Sequence, residues 1–322
     1  MEKVMVVTLR SFGEPLVLLC IGLLICSSVV SARTLNGFDL TGSLIYEGHI
    51  VPGGPAKGGI PAIDQPVFNQ AEDVNWLEPE QRVIGVKHNG VAKAYPLAIL
   101  NWHEIVNDRF ADDPVVVTYC PLCGSGVVYR ARMDNQDLTF GVSGLLYNSD
   151  VLLYDRQTDS LWSQLHHHAI SGPMKGRALV QLPSEHTQWG KWLKNNPDTL
   201  VLSRNTGATR DYNRNPYDGY EESKLLYFSV EFMSQAFHPK ARVIGVELNG
   251  LAKAYPFSEL AKVALSGVLE DRVGENLLKI EYDAESQSAR VFQGAEEIPV
   301  VNLFWFSWYG FHPNTQIYRV IE

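Results

Sequence analysis

The chain has 322 residues, of which 45% are hydrophobic and 20% charged, and its 27 Lys and Arg against 36 Asp and Glu leave a formal net charge of −9. That length supports one large or two small globular cores. With no basic run anywhere, nucleic acid is excluded as a partner class.

The first stretch reads as a targeting segment. Residues 1–15 carry Lys3 and Arg10, residues 16–30 (LVLLCIGLLICSSVV) are almost wholly apolar, and Val30-Ser31-Ala32 offers the small residues of a cleavage site. Residues 1–32 are therefore expected to be a signal peptide. The apolar run is shorter than the roughly 20 residues of a membrane-spanning helix, so an uncleaved anchor, the one route by which the chain would touch a membrane, is the secondary reading. Ile25 before Cys26 argues against a lipoprotein. Cys20 and Cys26 leave with the signal, so the mature chain keeps Cys120 and Cys123 alone. A periplasmic or extracellular location follows, an oxidising compartment in which two free thiols need a reason to stay reduced.

Residues 33–80, with Gly53-Gly54-Pro55 and Gly58-Gly59, read as an irregular lead-in, and residues 81–322 as a single globular domain. Within it RVIGVKHNGVAKAYP (82–96) recurs as RVIGVELNGLAKAYP (242–256), changed only at Lys87/Glu247, His88/Leu248 and Val91/Leu251. Each copy predicts a β-hairpin turning at Asn-Gly, which takes the positive φ of a two-residue turn. Each is followed by a helix, LAILNWHEIVND or FSELAKVALSGVLED, and a second extended pair, VVVTYCPLCGSGVVYR or LLKIEYDAESQSARVF. Two degenerate hairpin-helix-hairpin repeats, at about 81–130 and 241–292, are thus expected, with an insert of short strands between them. The fold class is α+β, mainly antiparallel sheet with short helices. Residues shared by both copies are structural candidates; residues present in one copy are candidates for chemistry.

On that test the cysteines stand out, because the second copy has Asp283-Ala284-Glu285-Ser286 where the first has the cysteine turn. Cys120-Pro121-Leu122-Cys123-Gly124 at a hairpin tip resembles the knuckle of rubredoxins and zinc ribbons, with proline fixing φ and glycine accepting positive φ. It offers two soft ligands to one ion. A thioredoxin-type redox pair would place its first cysteine at a helix N-terminus, whereas GSGVVYR reads as strand. A bridged pair closing so short a loop would constrain the unfolded chain little. Metal site, redox dithiol and inert disulfide all stay open. No second C-x-x-C exists, so histidine must complete a metal site. His103, where the second copy has Val263, is the first choice; His166, His167 and His168 are the second. Glu104 is a candidate acid or base. Cysteine and histidine together suit copper or zinc.

The blocks NWHEIVND, VVVTYCPLCGSGVVYR, FGVSGLLYNSDVLLYDRQTDSLWSQ, NPDTLVLS and RDYNRNPYDGY resemble the domain-of-unknown-function family 3179, a group of exported bacterial proteins, from about residue 60 to the C-terminus. The resemblance implies a pattern of His103-Glu104, Cys120, Cys123, Asp155-Arg156 and Trp162-Ser163-Gln164; the triple histidine is not part of it. It implies no fold, reaction or partner. Asp155, Arg156 and Gln164 join Glu104 as catalytic candidates, although an Asp155-Arg156 ion pair pinning two strands is the plainer reading. Residues 205–223 are expected to form an ordered loop with exposed aromatics, its basic and tyrosine residues able to grip an anionic or carbohydrate ligand. The functional expectation is an exported metal-binding protein, acting in metal handling or as an oxidoreductase, with a small-molecule or protein partner of unspecified identity. The alternatives are a thiol-disulfide oxidoreductase using Cys120 and Cys123, and a non-catalytic surface binding module. No serine-triad spacing, phosphate loop or dinucleotide fingerprint is present.

Overall fold

A computed structural model describes residues 33–320, so the expected signal segment lies outside the described residues. Among the described residues no helix is long and apolar enough to cross a membrane. The chain folds into mostly antiparallel sheets with four short helices, α1 (Leu97–His103), α2 (Trp189–Asn195), α3 (Phe257–Val263) and α4 (Trp305–Phe311). Five sheets of four or five strands make up the body and resemble the blades of a five-bladed β-propeller.

Sheet I orders its strands Glu185–Gln188, Arg82–His88, Val91–Pro96, Leu200–Leu202 and Phe68–Gln70; sheet II orders Val180–Leu182, Ser125–Arg130, Asp113–Cys120 and Ile105–Phe110. Sheet III runs Ala169–Ser171, Leu161–Ser163, Asp150–Asp155, Phe140–Tyr147 and Ile50–Pro52. Sheet IV runs Val301–Phe304, Arg242–Leu248, Leu251–Pro256 and Gln316–Ile317, and sheet V runs Ser266–Val273, Asn276–Asp283, Ser288–Gln293 and Glu296–Ile298. The stretch 33–80 is not set apart from the body, because Ile50–Pro52 and Phe68–Gln70 are edge strands of sheets III and I.

Sheets I and IV share more than their opening hairpins. In sheet I, Glu185 lies opposite Gly85 and Gln188 opposite Arg82; in sheet IV, Val301 lies opposite Gly245 and Phe304 opposite Arg242. Leu200 runs parallel beside Lys93, and Gln316 beside Lys253. Between these strands a helix carries one tryptophan onto the hairpin glycine. A Cβ on Gly85 would come within 2.2 Å of the Trp192 ring, and one on Gly245 within 2.2 Å of the Trp308 ring. Trp192 Nε1 donates to Thr199 Oγ1 and Trp308 Nε1 to Thr315 Oγ1, both at 2.9 Å. Sheets II and V are meanders entered after α1 and α3, and four of the five strands of sheet III, all but Ile50–Pro52, lie in sequence between Ser125–Arg130 and Val180–Leu182 of sheet II.

Each sheet I or IV also grips the hairpin tip of the meander from the other half. Arg82, the first residue of its strand, donates from Nη1 to Ser286 O (2.7 Å) and from Nη2 to Gln287 O (3.2 Å). Arg242, at the same register, donates from Nη1 to Gly124 O (3.3 Å). These bonds hold both tips against the body of the molecule: residues 120–125 are buried throughout, while in the sheet V tip Ser286 is buried and Glu285 stays exposed.

Because both glycines lie flat under an indole, Gly85→Ala and Gly245→Ala should each destabilise the protein by about 1–3 kcal/mol, the scale of overpacking a filled core. Chemical denaturation of the two variants checks this. A cost at one glycine and none at the other would mean that the two sheets are not packed alike.

Candidate metal centre

The cysteine tip is built by the strands Asp113–Cys120 and Ser125–Arg130, with Cys120 opposite Ser125 and residues 121–124 as the turn. Gly124 takes φ +60°, and a Cβ there would lie 2.8 Å from the Phe304 ring. Phe304 N–H donates to Cys123 O at 2.8 Å, which with the Arg242 bond fixes the turn from sheet IV. Both cysteines are buried and carry free thiols. The knuckle expected from the sequence is therefore a tip held deep inside the molecule.

A second tip meets it. In sheet III Tyr147 pairs with Asp150 across the two-residue turn Asn148-Ser149, whose φ values of 50° and 64° are both left-handed. Such a turn suits the strand twist, but serine is a strained occupant of that region. Neighbouring segments hold it: Asn148 Nδ2 donates to Gly310 O (3.1 Å), Asn148 Oδ1 accepts from Glu231 N–H (2.7 Å), and Ser149 Oγ donates to Phe228 O (2.8 Å). The turn aims the Ser149 carbonyl at both thiols, which donate to it at 3.7 Å from Cys120 and 3.4 Å from Cys123. Asp150 follows, with Leu165 N–H donating to its Oδ2 at 3.2 Å. One donor atom from each of Cys120, Cys123 and Asp150 falls within 4.8 Å of the others.

The electrostatics of this group are one-sided. Burial pushes the Asp150 carboxyl up to about 8 against hydrogen bonds that lower it, and burial also raises Cys120 and, further still, Cys123, with Asp150 adding to the effect on both thiols. Glu104, also buried, is pushed up to about 8 by desolvation and lies close enough to raise Cys120. Its backbone is left-handed at φ 59°, a strained state for a residue with a side chain. Among the described residues Asp150 Oδ1, Ser307 Oγ and Tyr220 OH are buried without a hydrogen-bond partner. Unpaired buried polar atoms are uncommon in folded proteins and concentrate where strain, chemistry or bound solvent and ions account for them.

The tip of sheet V shows what a compensated version looks like. There Asp283 pairs with Ser288 across a turn of the same length, and Lys191 Nζ lies 2.7 Å from Asp283 Oδ2. By the shared register of sheets I and IV, the residue in the place of Lys191 beside the cysteine tip is Ser307. Each tip is gripped by an arginine through a backbone carbonyl, but the sheet V tip also pairs its acid with Lys191, whereas among the described residues no lysine or arginine pairs with Asp150 at the cysteine tip.

The sequence-predicted residues divide sharply. Cys120 and Cys123 are together. His103 is not among the converging donors: its Nδ1 donates to Pro61 O at 2.7 Å and its Nε2 accepts from Tyr212 OH at 2.7 Å. Asp150, absent from the sequence-predicted candidates, takes the third place. His166, His167 and His168 are likewise outside the group; His168 is exposed. Asp155 accepts from Trp162 Nε1 (2.9 Å) and Thr158 N–H (2.6 Å), while Arg156 pairs with Asp64 (2.7 Å), so these two adjacent residues serve different contacts and not an ion pair with each other. Gln164 is enclosed, accepting from Ser125 Oγ (2.7 Å) and donating to Thr118 Oγ1 (2.9 Å). In the 205–223 loop Tyr212 and Tyr220 are buried, contrary to the expectation of exposed aromatics, because one caps His103 and the other covers the thiols.

Residues 57–297 match the model of a family described as protein of unknown function (DUF3179), and the chain belongs to that family. No curated protein and no solved structure matches it.

Glu104 offers a pH test. Its folded-state value near 8 lies above the ordinary 4.5, so the folded chain holds a proton the unfolded chain releases, and this contribution to stability is complete below about pH 4.5 and lost as pH rises toward 8. Glu104→Gln should therefore melt with wild type at pH 4 and above it by several degrees at pH 8, in metal-free protein. Parallel melting curves across that range would show that the carboxyl is not held neutral.

Proposed function

We propose that this chain is an exported metal-binding protein whose centre holds one zinc ion through the thiolates of Cys120 and Cys123 and the carboxylate of Asp150. The observation that carries the reading is the contrast between the two tips: Lys191 compensates Asp283 in one, whereas Ser307 stands beside three buried acids in the other. A cation arriving from solution supplies the missing charge, and all three donors lose their protons as it binds. Zinc accepts sulfur and carboxylate oxygen alike, whereas copper(I) favours sulfur donors throughout, so the replacement of histidine by Asp150 moves the preference from copper toward zinc. Three protein donors leave one position of a tetrahedron free. That position, with the neutral Glu104 carboxyl near Cys120, sets the centre apart from a closed four-donor structural zinc.

A thiol-disulfide exchange role is less well supported. An exchanging cysteine is activated by a nearby cation or a helix N-terminus, and here burial and neighbouring acids hold both thiols protonated. In the oxidising compartment implied by residues 1–32, a bound ion is also what keeps such a pair from closing into a disulfide. The same reading takes the two halves as degenerate copies of one two-sheet unit, about 82–202 and 242–317, longer than the 81–130 and 241–292 marked by sequence. Sheet III is then an insertion into the first copy, and it brings Asp150.

Protein purified without a histidine tag should contain at least one zinc per chain by elemental analysis. Cys120→Ser with Cys123→Ser should lower that content by one equivalent. Asp150→Asn should weaken zinc by more than the roughly 10- to 100-fold typical of losing an outer-shell partner. Absence of stoichiometric metal in both purified and zinc-reconstituted wild type would end the proposal.

A further inference from the structure

The correspondence between sheets I and IV exposes a second feature. In sheet I the strand Arg82–His88, the turn before Glu185–Gln188 and helix α2 enclose a polar cleft of about 400 Å³ that includes Gly85, Lys87, Trp192 and Asn196. The matching place in sheet IV, with Gly245, Glu247, Trp308 and His312, is narrowed to about 100 Å³. The register makes Lys87 and Glu247 counterparts, and Asn196 and His312 likewise. A cation and an amide in one half are thus an anion and an imidazole in the other. The inserted sheet III segment adds His167 to the wall of the smaller cavity.

Hydrogen-bond accounting fixes what His167 offers there. Tyr129 is fully buried and has one hydroxyl proton, which it donates to Gln164 O. Its contact with His167 Nδ1, at 2.7 Å, must then be an Nδ1–H donated to the tyrosine oxygen. That leaves the Nε2 lone pair bare. An imidazole oriented by its second nitrogen in this way is the usual posture of a metal ligand. His312 Nε2 lies 3.9 Å from Glu247 Oε2, and Glu247 is half-exposed and able to turn. Burial lowers both imidazoles to about 4, so they are neutral and able to donate at neutral pH. The three residues line one cavity, His312 and Glu247 in contact, and their donors do not fall within 4.8 Å of one another in the absence of an ion.

We propose that His167, His312 and Glu247 form a second metal site, separate from the sulfur centre, that takes a borderline divalent cation such as zinc or copper(II). Two imidazoles and a carboxylate suit ions of that class and not copper(I). This site draws on none of the donors of the sulfur centre, so the two readings can fail independently.

Cobalt(II) titration of the mature full-length protein separates them, because only a thiolate-bound cobalt gives an intense sulfur charge-transfer band. Wild type should bind two equivalents, one with that band and one without. Cys120→Ser with Cys123→Ser should keep the band-free equivalent. His312→Asn, which installs the residue that sheet I tolerates at the matching place, should keep the sulfur band and weaken the other site by about tenfold or more. Glu247→Gln should weaken it in the same direction. Unchanged band-free binding in His312→Asn and His167→Ala would overturn the proposal, as would a folded double serine variant, checked by circular dichroism, that binds no cobalt. Loss of the sulfur band alone from wild type would sink the first centre and leave this one standing.

Discussion

The arrangement rests on two arginines, Arg242 buried and Arg82 half-buried, that reach across the molecule. A guanidinium removed from water is costly unless its N–H groups find acceptors. Arg82 finds three carbonyls, those of Ser286, His186 and Gln287, while Arg242 finds Gly124 O and the Glu221 carboxylate at 2.9 Å. Burial, with the neighbouring Arg242 second, lowers Arg82 to about 9, so the two cations tolerate each other only because these acceptors surround them. Each bond set therefore ties the opening strand of one half to the hairpin tip of the other. Asn302 Nδ2 reinforces the first tie by donating to Gln287 O at 2.7 Å. A hairpin tip is normally solvent-exposed and mobile; here the reciprocal grip makes it an interior wall.

That placement changes the chemistry of a C-x-x-C turn. On an exposed tip the sulfurs would titrate near their ordinary value and exchange freely with oxidants. Inside, desolvation holds them as thiols. The tip of sheet V is the internal comparison. It has the same turn length, takes the same kind of arginine grip, and satisfies its own Asp283 locally through Ser286 N–H at 2.8 Å and Lys191. The hairpin thus folds without sulfur, and the cysteines are not there to hold it together.

Much of this was legible in the sequence and some was not. The hairpins at 82–96 and 242–256 were plain because strand alternation and Asn-Gly turns are local signals, and the cysteine tip was plain for the same reason. The later halves of the two units were missed, although WLKNNPDT and WYGFHPNT share a tryptophan, a proline and a threonine at equal spacing. Their similarity lies in the Trp-to-Thr bond and the flat glycine beneath, which composition does not reveal. His103 was misdirected for a geometric reason. It ends α1 one residue before the left-handed Glu104, and that reversal turns its ring toward Pro61 and Tyr212 and away from the sulfurs. Asp150 was hidden because an aspartate after Asn-Ser reads as turn punctuation. Its only sequence clue was a charge opening the apolar run Val151-Leu152-Leu153, where a buried strand offers it no water.

Sheets I and IV share their strand registers, the flat glycines, the indole clamps and the arginine grip. What distinguishes the first half's tip arrives with sheet III: the strained Asn148-Ser149 turn, the carbonyl that both thiols face, the Asp150 carboxylate, and, one strand further on, Gln164, which braces the cysteine hairpin through Ser125 and Thr118. The segment from Gln164 to His167 also carries the backbone N–H of Leu165 to Asp150 and the imidazole of His167 to Tyr129. One short stretch of chain therefore orders the carboxylate on one side and faces the histidine cavity on the other. A strained left-handed serine persists only where its surroundings over-determine it, and here the residues fixing the turn come from two separate segments, 228–231 and the end of α4 at Gly310. The strain places a carbonyl and a carboxylate against two sulfurs, an arrangement that without a cation is held together by protons alone.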